Sequence, residues 1–189
     1  MIETDRLVLR PWREADKPAF HALVNTPAMM AHFGGPVAQA KHDALLDRQM
    51  EQQARHGHCM WAVELRDSGM LAGVCGLRIG GHPGTPVPEE LEIGWRIGEA
   101  FWGQGIAREA AEASIAWGWT NTNRPRIAAW TVIGNARSWG LMERLGMRRR
   151  ADLDFRHPDI DLSDPLGAMI VYAIDRPIES RAIANKERR

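Results

Sequence analysis

The stretch Phe101-Trp102-Gly103-Gln104-Gly105-Ile106-Ala107-Arg108-Glu109-Ala110 joins a glycine-rich turn to an amphipathic run. Gly103 and Gly105 lack Cβ atoms, so the chain can turn tightly or left-handed there and a ligand can lie against the peptide groups. The N–H groups that open the following helix have no intrahelical partner. With the positive end of the helix dipole they favour an anion such as a pyrophosphate. Upstream, Glu90-Leu91-Glu92-Ile93-Gly94-Trp95-Arg96-Ile97 alternates with the period of a strand. Glu90, Glu92, Gly94 and Arg96 share one face, and Leu91, Ile93, Trp95 and Ile97 the other. Strand, glycine turn and helix make a unit suited to a nucleotide-bearing ligand, although a sharp connection between two core elements explains the same glycines. A dinucleotide fold would need a third glycine at fixed spacing, and a P-loop would need a lysine; neither is present.

The elements that would position this unit can be read outward from it. Arg6 to Pro11 alternates and stops at proline, as a first strand does, and Glu14 to Asn25 has helical spacing ended by Pro27. Met29 to Pro36 reads as a glycine-containing loop, a lid carrying His32 and Phe33, before a charged helix over Gln39 to His56. Met60–Leu65 and Met70–Leu77 form a hairpin through Arg66-Asp67-Ser68-Gly69, and Gly80 to Pro88 is loop. After the glycine turn and its helix, a strand over Ile127–Val132 leads to a second helix. Asn135 stands at its N-cap and Gly146 past its end, with Met147 placed to pack back on Met142. Strands over Arg148–Leu153 and Leu166–Ile174 close the order, with Asp152, Asp154, Asp159, Asp161 and Asp164 clustered around the loop between them.

Length and composition bound the reading. A chain of 189 residues suits one well-buried core, here 1–177, followed by a charged tail over 178–189. Basic and acidic residues balance at 24 each, which argues against a nucleic-acid footprint. No apolar run approaches a membrane span and the N-terminus lacks a signal-peptide pattern, so a cytoplasmic protein is expected. Cys59 and Cys75 lie in apolar runs without metal-ligand spacing and read as reduced core residues. His56-Gly57-His58 is the closest histidine pair and lacks further ligands, so no metal is expected.

The order of elements and three of its motifs resemble the GNAT N-acetyltransferases, most closely the branch that acetylates ribosomal-protein N-termini, over Asp5 to Arg176. The motifs are Glu92-Ile93-Gly94-Trp95, Trp102-Gly103-Gln104-Gly105-Ile106-Ala107, and Asn135-Ala136-Arg137-Ser138 through Glu143-Arg144-Leu145-Gly146-Met147. The resemblance implies an α/β fold with a mixed central sheet of about seven strands flanked by helices on both faces. It implies acetyl-CoA as co-substrate, held by Ile93, Gly94 and Trp95, by Gly103, Gln104, Gly105, Ile106, Ala107 and Arg108, and by Asn135 and Ser138. The family's pyrophosphate motif opens on Gln or Arg; Gly105 and Ala107 match it, while Trp102 replaces the polar residue and Arg108 is the cation at hand.

Acetyl transfer to an amine needs a deprotonated nitrogen, a stabilised oxyanion and a departing thiolate. Alkyl amines with pKa ~10.4 must lose a proton at neutral pH, and Glu92 is the candidate base, with side-chain space beside Gly94 for the acetyl group. A salt-bridged strand residue is the plain alternative. The family's tyrosine acid is replaced by Met142; the resemblance to N-terminal acetyltransferases implies that Ser138 hydrogen-bonds the sulfur, and a backbone N–H of the central strand near Ile93 to Trp95 would hold the oxyanion. Tyr172 reads as structural. The resemblance implies as acceptor a small-molecule amine or a peptide or ribosomal-protein N-terminus; His32 and Phe33 are placed on its side by position, and the aspartate loop is either an acidic rim or simply solvated. A monomer or homodimer is expected. A non-catalytic acyl-CoA-binding module is the rival of another class, and a nicotinamide-dependent oxidoreductase a third reading.

Overall fold

A computed structural model of the chain describes residues 1–177; the charged tail expected over 178–189 lies outside the described residues. Among the described residues the sheet has nine strands: β1 (Ile2–Glu3), β2 (Leu7–Arg10), β3 (Met60–Leu65), β4 (Leu71–Gly80), β5 (Glu90–Ile97), β6 (Arg126–Val132), β7 (Arg148–Arg149), β8 (Phe155–Arg156) and β9 (Ala168–Asp175). Their order is β1-β2-β3-β4-β5-β6-β9-β7, with β8 also pairing β9. All the pairings are antiparallel except β5 with β6. Seven of the strands match the expected ones; β1 and β8, two residues each, are additional.

Helices cover both faces. α1 (Lys17–Val24), α2 (Pro27–Met30) and α3 (Gln39–His56) lie toward one, α4 (Ile106–Asn121) and α5 (Ala136–Arg144) on the other. Gly118 in α4 lets that helix rest on Leu77 and Ile127, where a Cβ would collide. Beside it Ser114 of α4 faces Cys75, and burial pushes the thiols of Cys75 and Cys59 up to about 12, so both are inert core groups. On the opposite face Gln49 of α3 accepts from the Met60 N–H at 2.9 Å, and the α1 residue Leu23 covers Gly98. α3 ends where Gly57 turns left-handed at φ +76 and donates to Gln53 O.

Three expectations change. Pro27 opens a one-turn helix rather than ending the region: it occupies N1, where a missing N–H costs nothing, and Thr26 accepts from Met29 N–H as its cap. The expected strand over Arg148–Leu153 stops at Arg149. Arg150 N–H makes the last ladder bond, to Val171 O at 2.8 Å, and Ala151–Leu153 coils into a 3-10 turn that buries Leu153 against Val87, Phe155 and Val171. Asn135 stands at the N-cap of α5, but its side chain makes no cap bond; Nδ2 donates instead to Thr131 Oγ1 at 3.0 Å. The other end of α5 forms as expected, with Gly146 N–H on Glu143 O and Met147 N–H on Met142 O, the paired bonds of a left-handed glycine stop.

Candidate active site

The glycine turn has the backbone that its residues dictate. Gly103 and Gly105 take φ values of +75 and +79, and Gly105 is the residue from which α4 starts. The first intrahelical bond is Glu109 N–H to Gly105 O at 3.0 Å, so the N–H groups of Ile106, Ala107 and Arg108 precede it and remain for a ligand. A Cβ at Gly103 would meet nothing within 4 Å: the turn is open on that side. It is braced from behind. Glu109 in the first turn of α4 accepts from Thr4 Oγ1 at 2.6 Å, Arg6 Nε at 2.7 Å and Arg6 N at 3.1 Å, and Arg6 Nη1 donates to Gln104 O at 2.9 Å. Burial alone would raise the Glu109 carboxyl, but these donors hold it below the ordinary carboxylate range. Arg108 does not turn to the cradle; its guanidinium pairs with Glu112 one turn on, at 2.8 Å on the exposed face.

β5 and β6 run parallel but share one register pair, Glu92 with Ala128. Before that pair Arg126 clamps Glu90, with Nε on Oε2 at 2.9 Å. Beyond it the strands carry no further paired residues and lead separately to α4 and α5. The opening lies outside the carboxyl ends of two parallel strands, the crevice in which open α/β sheets take ligands. Its two lips meet at one point. Trp102, in the cradle, donates its indole N–H to Ile97 O at 2.6 Å, and the Arg137 guanidinium of α5 lies 4.4 Å from the Trp102 ring centroid.

Glu92 sits where the strands part, 7% exposed. Its Oε2 accepts from Arg78 Nε of β4 at 2.8 Å, and Gly80 gives it room, since a Cβ there would strike the carboxylate. Oε1 has no partner among the described residues and is not sealed from solvent. The salt bridge foreseen as the plain alternative is therefore present, and one carboxylate oxygen is still available. The space beside Gly94 is occupied by the flexible end of Met60, whose methyl and sulfur would touch any Cβ there. An acetyl group would have to displace that thioether, which its unbranched chain permits.

A profile of acetyltransferase (GNAT) domains matches residues 6–148. The chain belongs to the GNAT acetyltransferase family. It is 27% identical to the uncharacterised Bacillus subtilis protein YkkB over 153 residues, 77% of this chain and 84% of that protein. A solved acetyltransferase from Agrobacterium tumefaciens strain C58 superposes with TM-score 0.72 at 28% identity, covering 92% of each chain. RimL, a ribosomal L7/L12 α-N-protein acetyltransferase solved in complex with coenzyme A, superposes with TM-score 0.70 at 19% identity over 91% of this chain and 95% of its own. The fold neighbours thus include the ribosomal branch that the motifs resemble.

Within this GNAT domain the remaining predicted residues separate into those that face the opening and those that do not. Ser138, in the first turn of α5, is half-buried, and its hydroxyl has no partner among the described residues. Asn135 keeps its side-chain carbonyl oxygen uncommitted while its amide holds Thr131. Ile93 is buried, and Gly94 and Trp95 follow it along the unpaired flank of β5. These groups fit a phosphopantetheine ligand: anion donors at the cradle, an uncommitted strand edge and polar side chains opposite. Phe33 lies against Arg96 of β5, and the His32 ring approaches Gly134 before α5, so the early loop spans both lips. Met142 is buried in the core, and Tyr172 donates to Glu143 Oε1 at 3.2 Å, tying α5 to β9 as a structural residue. Two of the five aspartates around the loop are paired with arginines, while Asp159, Asp161 and Asp164 make no ion pair with any described residue. Asp152 pairs with Arg150, Asp154 with Arg149, Asp161 accepts from Ser163, and Asp164 accepts from Leu166 N–H. Sequence reasoning missed Arg78, Met60 and Arg137; two of them reach the site only through strand register, which sets Arg78 opposite Glu92 and Met60 opposite Gly76.

Proposed function

We propose that the chain moves an acetyl group from acetyl-CoA to a primary amine, on a peptide N-terminus or a small molecule, with residues 1–177 acting as one acyltransferase domain. The observation that carries this reading is a carboxylate with one open oxygen at the residue pair from which β5 and β6 separate, β5 leading to the α4 cradle and β6 to α5, whose Ser138 hydroxyl has no partner among the described residues. The amine nitrogen attacks the thioester carbonyl carbon, a C–N bond forms, and the C–S bond breaks to release the CoA thiolate. Glu92 Oε1 receives the amine proton, directly or through water. N–H groups on the unpaired flank of β5 near Ile93 to Trp95 hold the oxyanion. Ser138 Oγ donates to the sulfur, which leaves as a tolerable thiolate with pKa about 8.5.

A non-catalytic acyl-CoA-binding module would share the cradle and the opening, and the buried Met142 in place of a tyrosine favours it. The test is thiol release from acetyl-CoA over N-terminal peptides, polyamines, aminoglycosides and amino acids, with Glu92→Gln alongside. Release with one acceptor class, lost in Glu92→Gln, is the expected result. CoA binding without release from any acceptor would favour the module, and heat protection by NAD but not CoA would overturn both.

A further inference from the structure

Among the described residues, one cation on the Glu92 face has nothing to pair with. Each arginine directed at that face from the neighbouring strands is engaged: Arg78 by Glu92, Arg126 by Glu90, and Arg10 by Asp16 and Glu64. Arg96, two residues beyond Gly94 on the same face, makes no ion pair or side-chain hydrogen bond to any described residue, yet it is half-buried. Its Cζ lies 3.9 Å from the ring centroid of Phe33, so the guanidinium rests on the loop that spans the opening. None of its nitrogens is sealed from solvent, so a ligand can reach them. Burial and the nearby Arg78 push the group down to about 10, which leaves it charged at neutral pH and short of a counter-charge.

A partly desolvated cation without a partner is costly, and a stacked guanidinium presents a rigid fork that suits a carboxylate. Arg78 already offsets Glu92, so Arg96 leaves the local balance positive, the wrong sign for a polycation. Along the strand Arg96 stands roughly 7 Å from Gly94, a span that one acceptor molecule can bridge between its amine and a carboxylate a few bonds away.

Resting on the acetyl-transfer reading above, we propose that Arg96 recognises the acceptor by a carboxylate. The substrate is then an amine that also carries a carboxylate: a free amino acid, or a peptide whose first side chain is acidic. Polyamines and aminoglycosides are not substrates.

The experiment compares acceptors that differ only in that group. Free amino acids are set against their carboxamides, and amidated tripeptides beginning with Asp or Glu against those beginning with Asn or Gln; the pair that responds tells the two sources apart. The acid of one pair should exceed its amide in kcat/KM by about tenfold to a hundredfold. Arg96→Gln should bring the acid down to the amide's level, Arg96→Lys should keep part of the preference, and the KM for acetyl-CoA should stay the same in both. Equal use of acid and amide by the wild type, a best acceptor that is a polyamine, or an equal loss on both members of a pair in Arg96→Gln would overturn the Arg96 assignment while leaving acetyl transfer intact. Thiol release from no acceptor, with CoA still raising the melting temperature, would instead overturn the transfer reading and this proposal with it. The wild-type comparison needs no variant, so a misfolded Arg96→Gln would not rescue the idea.

Discussion

In the proposed reaction Glu92 has only one oxygen to offer the acceptor proton, because the other is held by Arg78. Glu92→Gln keeps an acceptor oxygen for that arginine and nearly the same volume, so the fold should survive while proton removal is lost. The expected outcome is a kcat lower by about 10²-fold or more with the KM for acetyl-CoA little changed, read by thiol release between about pH 6 and pH 9. A variant as active as wild type across that range would reduce Glu92 to its salt bridge. Ser138→Ala removes a hydroxyl with no other described partner, and a drop in kcat of about tenfold without loss of stability is expected. Gly103 and Gly105 were legible in the sequence from glycine spacing before a helix, whereas alternation only placed Glu92 on a strand face and the family resemblance, not local pattern, singled out Glu92 and Ser138. Arg78 and Met60 were not, since each reaches the site through strand register, which depends on how the loop over 81–89 and the β3–β4 hairpin close.

The start of α4 gathers more constraints than any other element. Its glycine has a left-handed φ, its first-turn carboxylate is tied to Thr4 and Arg6, and its first N–H groups have no partner among the described residues. Gly105→Ala places a Cβ at φ +79, at a cost of about 1–2 kcal/mol. A lower melting temperature together with a raised KM for acetyl-CoA is expected; a change in stability alone would mean that the cradle binds nothing. Glu109 titrates below its ordinary value, so its contribution to stability is complete above the unfolded-state pKa and is lost as pH falls through the folded one. The gap in melting temperature between wild type and Glu109→Gln should therefore shrink between about pH 5 and pH 3. This brace could not have been read from sequence, because β1 is two residues long and Thr4 and Arg6 are far in the chain from Glu109. The bounds of α3, β3 and β5, by contrast, match the sequence reading, being set by glycine, by strict alternation or by a hairpin turn at their own ends. Leu153 shows the opposite case: a strand-like run coiled because its leucine found a small second core.

For the whole molecule, acid should destabilise well before the carboxylates titrate. Burial lowers His42, His58 and His82 below their usual value, so the unfolded chain binds these protons first. Stability is then full above about pH 6.5 and falls as pH drops below it, and the melting temperature should decline between about pH 7 and pH 5.5. A flat profile over that interval would mean that the three rings are reached by water. The sheet as a whole is less continuous than a count of its strands suggests. Joined between β5 and β6 through a single residue pair, it has a rim in its middle as well as at its two ends. Alternate amides of Ile93 to Ile97 should then exchange with solvent deuterium as fast as those of an outermost strand, despite lying at the centre of the molecule. A saturating concentration of coenzyme A should slow that exchange there before it does so anywhere else in the sheet.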